Sequence, residues 1–174
     1  MTYPTPFFNY CPKCGSMHFT ANGERSMICK SCKFEFYLNV ASAVTAIIMD
    51  NNGRILLTRR SFNPQKGKLD LPGGFVEFNE SAHDAIVREL KEELGADMQH
   101  ITFFDTFSNE YSYSGLTIHT LDVTFLVKLQ SLQLTAMDDV ASFEFYDLDD
   151  IPMQEIAFQS TRNTILKLKK LHHE

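Results

Sequence analysis

The sequence predicts an α/β domain that follows a small metal-binding unit built on four cysteines. All four cysteines lie within the first 32 residues, whereas strand and helix patterns alternate from residue 40 onward. The change between these two patterns falls near Leu38-Asn39. We therefore expect a ribbon over residues 1–38 and a larger domain over residues 39–174.

Length and composition exclude several classes of protein. The 174 residues suit one ordinary domain plus a small unit, and 44% hydrophobic residues exclude a disordered chain. No stretch has the roughly 18 consecutive apolar residues of a membrane helix, and the N-terminus lacks a secretory pattern. We therefore expect a cytoplasmic protein. The net charge of −6 argues against a general polyanion binder.

The cysteines follow the spacing C-x2-C-x14-C-x2-C, at Cys11, Cys14, Cys29 and Cys32. Two such knuckles can bring four thiolates to one tetrahedral Zn²⁺, and a unit this small needs the bound metal to fold. The alternative is a pair of disulfides, which a reducing compartment disfavours. Four cysteines leave no open coordination position, so the zinc would be structural rather than catalytic.

Two further features of the ribbon carry predictions. Asn22-Gly23 predicts a two-residue type I′ turn between two of its strands. Its basic residues form a thin set, namely Lys13, Arg25, Lys30 and Lys33. Such a set disfavours nucleic acid as a partner.

The larger domain shows strand patterns on both sides of one prominent helix. An apolar, β-branched run over 40–49 and a second run over 54–60 predict strands joined by a turn at 50–53. A helix is predicted from about Ser81 to Leu94, where Gly95 ends it. The remaining predicted elements are strands over about 101–111, 116–129 and 142–147, and a final helix over about 159–171.

The helix over 81–94 places three carboxylates beside its apolar stripe. The stripe consists of Ala82, Ile86, Leu90 and Leu94, with Asp84, Arg88 and Lys91 on the opposite, solvated face. Glu89, Glu92 and Glu93 are mutual neighbours that repel, and burial beside the stripe adds a desolvation cost. A divalent cation would relieve both, because Mg²⁺ and Mn²⁺ prefer carboxylate oxygens. The alternative is a solvated acidic face with a few ion pairs.

The residues around this helix resemble the motif of a known family. Residues 74–96 have the sequence GFVEFNESAHDAIVRELKEELGA. This resembles the Nudix box, G-x5-E-x7-R-E-U-x-E-E-x-G-U, where U is a bulky aliphatic residue. Every fixed position matches, and only Ala96 is small for the last aliphatic position.

The resemblance implies a fold, a reaction and a role for each box residue. It implies an α/β/α sandwich with a mixed sheet and an enzyme that cleaves a nucleoside diphosphate linked to another moiety, with Mg²⁺ or Mn²⁺. It implies that Glu89, Glu92 and Glu93 bind these metals together with the Gly73 carbonyl. Arg88 would pair with box carboxylates. The remaining box positions, which would support this scaffold, are Gly74, Glu80 and Gly95.

The general base and the substrate contacts lie partly outside the box. Relatives draw the base from the box or from a later loop, and Glu93 and Glu144 are the candidates here. Tyr111 and Tyr113 could stack on a base, although aromatic strand residues often serve packing alone. The basic residues that flank the loop before the box could meet phosphates, with ordinary surface charge as the alternative; these are Arg59, Arg60, Lys66 and Lys68.

The architecture narrows the substrate class. A cysteine ribbon joined to such a domain resembles the NADH pyrophosphatases and also a shorter group that hydrolyses FAD and ADP-ribose. The former carry a Trp-containing motif after the box, and this chain has no Trp. The resemblance therefore implies ADP-ribose, FAD or a related dinucleotide, cleaved to AMP plus a phosphorylated product, and is compatible with a homodimer. The alternatives are a nucleoside triphosphate pyrophosphohydrolase and a non-catalytic nucleotide sensor that contacts nucleic acid or protein through the ribbon.

Overall fold

The computed structural model describes residues 8–172, which form parts of two compact units. One unit comprises Met1–Val40 with Ser112–Ile118, and the other comprises Ala41–Tyr111 with His119–Glu174. The predicted bounds at 1–38 and 39–174 stay a prediction, and residues 1–7 and 173–174 within them lie outside the described residues. Within residues 8–172, no helix combines the length and apolar character that crossing a membrane requires.

The first unit contains a three-stranded antiparallel sheet. Its strands are β1 (Phe19–Ala21), β2 (Ser26–Cys29) and β3 (Glu35–Tyr37), in the order β1-β2-β3. The predicted two-residue turn at Asn22-Gly23 is wrong, because β1 and β2 are separated by four residues. The Glu35 carboxylate accepts a hydrogen bond from the Asn22 side chain at 2.8 Å and lies 2.7 Å from the Ser26 hydroxyl, which holds this wider loop.

The four cysteines converge beside this sheet. Their sulfur atoms all lie within 4.8 Å of one another, and the pairs Cys11–Cys32 and Cys14–Cys29 are each 3.7 Å apart. A disulfide requires about 2.05 Å, so the cysteines are not paired in this way. Sulfurs at the corners of a tetrahedron with Zn–S bonds of about 2.3 Å would be about 3.8 Å apart. The spacing therefore fits a four-thiolate metal site and supports the predicted zinc ribbon.

Within the described residues, the second unit contains six strands and two α-helices, apart from residues 112–118, which are grouped with the first unit. The predicted order of strands and helices is observed, although most elements differ from their predicted bounds by one to a few residues. The elements are β4 (Ala41–Ile48), β5 (Ile55–Arg60), β6 (Leu69–Asp70), α1 (Ala82–Leu94), β7 (Met98–Tyr113), β8 (Leu116–Leu129), β9 (Val140–Tyr146) and α2 (Gln159–His172).

The six strands form two small sheets, one of which includes a parallel pairing. One has the order β4-β8-β7, with β4 parallel to β8 from Ala41↔Thr120 to Ile48↔Val127. The other has the order β6-β5-β9, and both of its pairings are antiparallel. A bridge between Met49 and Ile55 connects the end of β4 to the start of β5.

The two helices cover opposite faces of these strands. Successive strand residues point to opposite faces, so β4 and β5 contribute to two cores. On one side, Val44 and Leu56 pack with Ile86 and Leu90 of α1. On the other side, Ile47, Ile55 and Leu57 pack with Ile165 and Leu168 of α2. This arrangement confirms the predicted α/β/α sandwich with mixed strands.

The core under α1 gives a prediction about stability. Leu90 has no exposed surface, so Leu90→Ala leaves a cavity and should lower the free energy of unfolding by about 2–5 kcal/mol. Leu166→Ala is the matched control, because Leu166 of α2 is 54% exposed and its truncation should cost well under that amount. Urea denaturation of both variants checks this. Equal losses would contradict the packing described for α1.

Candidate active site

Helix α1 is fixed at both ends by local hydrogen bonds. The Ser81 hydroxyl accepts a hydrogen bond from the Asp84 backbone N–H at 3.1 Å and thereby caps the N-terminus. Gly95 takes φ +62°, and its N–H donates to the Lys91 carbonyl at 3.0 Å. A left-handed residue at this position suits glycine. These caps set the length of the helix and therefore the positions of its glutamates.

Arg88 gathers the carboxylates of the helix and of the loop before it. Its Nε lies 2.8 Å from Glu80 Oε1, and its Nη1 lies 2.9 Å from Glu89 and 3.0 Å from Glu92. Nη2 also donates to the Phe75 carbonyl at 3.0 Å. The pairing of Arg88 with box carboxylates is therefore observed. Its side chain is less exposed than the predicted solvated face implied, because these acceptors leave it half-buried.

Two glycines allow the loop before α1 to approach its neighbours closely. Gly73 has φ +138°, and a Cβ there would overlap the backbone of Val44 and Thr45. A Cβ at Gly74 would instead overlap the Glu89 carboxylate, whose Cδ would lie only 2.6 Å away. The space that Gly74 leaves open is therefore occupied by a predicted metal ligand.

The backbone of this loop is pinned to β4 on one side. The Val44 N–H donates to the Gly74 carbonyl at 2.8 Å, and the Ala46 N–H donates to the Pro72 carbonyl at 2.9 Å. Gly73 lies between them. Its N–H donates to Glu93 Oε2 at 2.9 Å, and within residues 8–172 no hydrogen bond reaches its carbonyl. That carbonyl is therefore open to bind another group.

A second set of carboxylates reaches the site from the loop before β9. The Thr135 N–H donates to the Leu94 carbonyl at 3.1 Å, and the Met137 N–H donates to the Glu93 carbonyl at 2.8 Å. These bonds fix the loop to the C-terminal end of α1. Asp138 and Asp139, which follow directly, consequently lie near the glutamates of the helix.

These elements surround one cavity of about 390 Å³, which lies within the second unit. Acidic side chains dominate its charged lining. They are Asp70, Glu77, Glu89, Glu92, Glu93, Asp122, Asp138 and Asp139, against Arg60 and Arg88. The cavity therefore carries a large excess of negative charge, of which Arg88 neutralises only part.

Burial raises the pKa of two buried carboxyls in this acidic group. Burial raises the pKa of Glu93 to about 8, the Gly73 N–H opposes this rise, and Glu89 adds to it. Burial also raises the pKa of Asp70 to about 6, against the hydrogen bond from Thr161 at 2.6 Å. Both shifts reflect the cost of removing a carboxylate from water, to which neighbouring carboxylates add.

The lining of the cavity also includes an aromatic group. The rings of Tyr111 and Phe158 lie 5.5 Å apart at 32°, and Phe75 meets Tyr111 edge-on at 5.4 Å. The Arg60 guanidinium lies 5.0 Å from the centre of the Phe158 ring. All four side chains line the cavity. Flat rings beside a cationic group suit a planar, electron-rich ligand.

A comparison with protein families assigns the chain. The model of the NUDIX domain matches residues 40–168. The chain belongs to the Nudix family. It is a Nudix hydrolase, and the glutamates of α1 are those of its Nudix box.

Known relatives agree with this assignment. The chain is 38% identical over 121 residues to an ADP-ribose pyrophosphatase of Methanocaldococcus jannaschii. The aligned region covers 69% of each chain. It is 23% identical over 167 residues to the NAD-capped RNA hydrolase NudC of Vibrio atlanticus, covering 95% of this chain and 61% of that relative. A Nudix hydrolase of Nitrosomonas europaea has a similar crystal structure, with a TM-score of 0.70, 26% identity, and 95% and 93% of the two chains covered.

The structure brings most predicted site residues together but leaves several outside the cavity. Glu89, Glu92, Glu93, Gly73 and Tyr111 line it. The predicted catalytic and substrate-binding residues outside the lining are Glu144, Arg59, Lys66, Lys68 and Tyr113, and the supporting box residues Glu80 and Gly95 also lie outside it.

The contacts of the outlying residues explain their positions. The Glu144 carboxylate accepts a hydrogen bond from the Tyr146 hydroxyl at 2.9 Å on the exposed side of β9. Arg59 donates to the Gly67 carbonyl at 2.6 Å and lies 3.3 Å from Glu155. Tyr113 is 58% exposed and belongs to the segment grouped with the first unit.

Sequence reasoning missed several cavity residues. Asp138 and Asp139 carried a visible signal, because an acidic pair precedes an apolar strand pattern. Asn109 and Asp122 carried none, since each is one of several polar residues along a long strand. Phe158 comes from a short segment before α2, and only the tertiary fold brings it to Tyr111.

The contact between Gly74 and Glu89 gives a prediction about activity. Gly74→Ala should displace the Glu89 carboxylate and lower turnover on the order of 100-fold, as expected when a positioned group shifts by about 1 Å. Stability should change little, because Glu89 can rotate away. Kinetics and thermal denaturation together check this.

Gly53→Ala is the control for this exchange. Gly53 has φ +79° in a turn with no atom within 4 Å of an added Cβ, so the change should cost about 1 kcal/mol of stability and leave turnover intact. Full activity of the Gly74 variant would contradict the proposed constraint on Glu89.

Proposed function

We propose that this Nudix hydrolase cleaves the pyrophosphate of ADP-ribose or a related adenine dinucleotide, using Mg²⁺ or Mn²⁺, to give AMP and a second phosphorylated product. One observation carries the proposal. A single cavity is lined both by the glutamates of the Nudix box and by an aromatic wall, which consists of Phe75, Tyr111 and Phe158. The first set suits a pyrophosphate with its metals, and the second suits a base.

The residues present fit a hard divalent cation. The candidate ligands are the carboxylates of Glu89, Glu92 and Glu93 and the free carbonyl of Gly73, and all of them are oxygen donors. Arg88 contacts Glu89 and Glu92, but among the described residues Glu93 receives only the backbone N–H of Gly73. The remaining negative charge therefore needs a cation before a polyanionic substrate can enter.

The proposed chemistry follows from this arrangement. A bound Mg²⁺ or Mn²⁺ would neutralise pyrophosphate oxygens and lower the pKa of a water molecule. Arg88 holds the carboxylates of Glu89 and Glu92 in place, which keeps their geometry fixed during the reaction. We assign proton acceptance to Glu93, because the Gly73 N–H orients its carboxylate inside the cavity. Glu144 is not assigned this role, because it lies outside the cavity.

The choice of substrate rests on the aromatic wall and on two relatives. Tyr111 and Phe158 offer ring faces on which a base can stack. The two relatives compared above are named as an ADP-ribose pyrophosphatase and an NAD-capped RNA hydrolase. Both names point to substrates in which a pyrophosphate joins an adenosine to a second group. Hydrolysis of FAD, hydrolysis of nucleoside triphosphates and formation of a homodimer stay predictions.

The four-cysteine site is proposed to bind one Zn²⁺ with a structural role. The sulfur spacing of 3.7 Å supports a tetrahedral thiolate site. The Cys32 N–H also points at Cys29 Sγ at 3.5 Å, as expected for an amide that stabilises a metal-bound thiolate. Four protein ligands leave no position for substrate.

The double variant Glu92→Gln, Glu93→Gln tests the proposed reaction. We expect hydrolysis of ADP-ribose to fall by at least about 1,000-fold, because two metal ligands lose their charge. The measurement is AMP release with Mg²⁺ and then Mn²⁺, over ADP-ribose, FAD, NADH and the nucleoside triphosphates. Undiminished turnover by the variant would contradict the assigned site.

The control is the double variant Glu24→Gln, Glu110→Gln. It removes the same charge from two exposed glutamates outside the cavity, so turnover should stay near that of the parent protein. If the protein released pyrophosphate from nucleoside triphosphates and hydrolysed none of the dinucleotides, the proposed substrate class would be wrong.

Removal of the cysteine site gives a separate prediction. The purified protein should hold about one zinc ion per chain, and Cys29→Ser should lose it and unfold the first unit. Elemental analysis and hydrogen exchange over residues 8–40 check both statements. Ser31→Ala, in the same loop, should keep the metal. A metal-free protein with its cysteines oxidised would favour the disulfide alternative.

A further inference from the structure

One buried amide in the cavity lacks a partner. Asn109 of β7 is only 8% exposed and lines the cavity, yet within residues 8–172 its side chain makes no hydrogen bond. This amide is not sealed off from solvent, because the fully inaccessible side-chain N or O atom that lacks a partner in the described residues is Ser61 Oγ and not an atom of Asn109. The Asn109 amide is therefore open to the cavity, where water or a ligand can pair with it. Because its open side faces the cavity, a ligand is the natural partner.

A second polar group nearby is half-satisfied. Asp122 of β8 is 6% exposed, and one of its oxygens accepts a hydrogen bond from the Thr120 hydroxyl at 2.6 Å. No residue in the described part of the chain donates to its other oxygen. Asn109 and Asp122 lie on neighbouring strands and line the same cavity.

The aromatic pair lies beside these polar groups. Tyr111 follows Asn109 by two residues on β7, so both side chains lie on the same face of the strand. The Tyr111 ring lies 5.5 Å from that of Phe158. A planar ring stacked at this pair would therefore present its edge near an amide and a carboxylate.

We infer that Asn109 and Asp122 recognise the amino group of an adenine base that stacks at Tyr111 and Phe158. A carboxamide can accept from the adenine N6 amino group while it donates to the ring nitrogen N7. An ionised carboxylate only accepts, so Asp122 can take the second hydrogen of that amino group. The inference deepens the proposed function and rests on it for the identity of the nucleotide.

This arrangement distinguishes adenine from hypoxanthine. Hypoxanthine has an oxygen where adenine has its amino group, so it removes both donors and places an acceptor beside a carboxylate. The two bases have almost the same shape, so stacking alone cannot separate them. A site with buried polar groups rejects such an analogue strongly, because those groups are left unpaired.

Kinetics with ADP-ribose and inosine diphosphate ribose test the inference. The parent protein should prefer ADP-ribose in kcat/KM by about ten- to 100-fold. Asn109→Leu keeps the shape but removes the hydrogen bonds, so it should raise KM for ADP-ribose and reduce the preference to a few-fold. Asn163→Leu of α2 is the matched control outside the cavity and should keep the full preference.

Asp122→Asn gives a readout that misfolding cannot imitate. The variant keeps an oxygen for the Thr120 hydroxyl and replaces the other oxygen with an NH₂ donor. It should therefore gain activity on inosine diphosphate ribose relative to ADP-ribose, by about tenfold or more. An unchanged ratio in this variant would overturn the role of Asp122.

Binding of AMP and IMP by calorimetry separates this inference from the proposed function. Tighter binding of AMP that Asn109→Leu abolishes supports base recognition even if no substrate is hydrolysed, in which case only the proposed reaction fails. Equal binding of AMP and IMP, together with equal hydrolysis of the two diphosphate riboses, overturns the inference and leaves the reaction standing.

Discussion

The guanidinium of Arg88 is the interaction on which the geometry of the site depends. It contacts Glu80 and the Phe75 carbonyl from the loop, and Glu89 and Glu92 from the helix. A lysine has neither the planar fork nor enough fixed donors to hold these groups together. Because the guanidinium is half-buried, its attraction for the carboxylates is less screened than at an exposed surface. The loop and helix are therefore held as one unit.

The backbone around Gly73 is constrained in a complementary way. The carbonyls of Pro72 and Gly74 accept hydrogen bonds from β4, and the Gly73 N–H is committed to Glu93. This pattern leaves the Gly73 carbonyl without a hydrogen-bond donor among the described residues. A side chain at Gly73 would meet the backbone of β4, so this approach requires glycine. The loop thus presents a free oxygen beside the box carboxylates.

Sequence alone identified the parts of the site that are close together along the chain. The box residues lie within one loop and one helix, so helical spacing predicted Glu89, Glu92 and Glu93 beside the apolar stripe, where Glu93 is buried and Glu92 is exposed. Arg88 is less exposed than that spacing implied because its acceptors come partly from the loop, which helical periodicity does not describe. Asn109 and Asp122 meet only through strand pairing across a long hairpin, and no local pattern reports such pairing.

This division of the site has a chemical consequence. The groups that we propose to handle the pyrophosphate are held by short-range contacts, whereas those beside the aromatic wall come from β7, β8 and the segment before α2. Substitutions at Asn109 or Phe158 therefore leave the contacts of Arg88 untouched. A cavity built this way can change the base it accepts without changing how it treats the phosphates, which explains how one fold can support many related hydrolases.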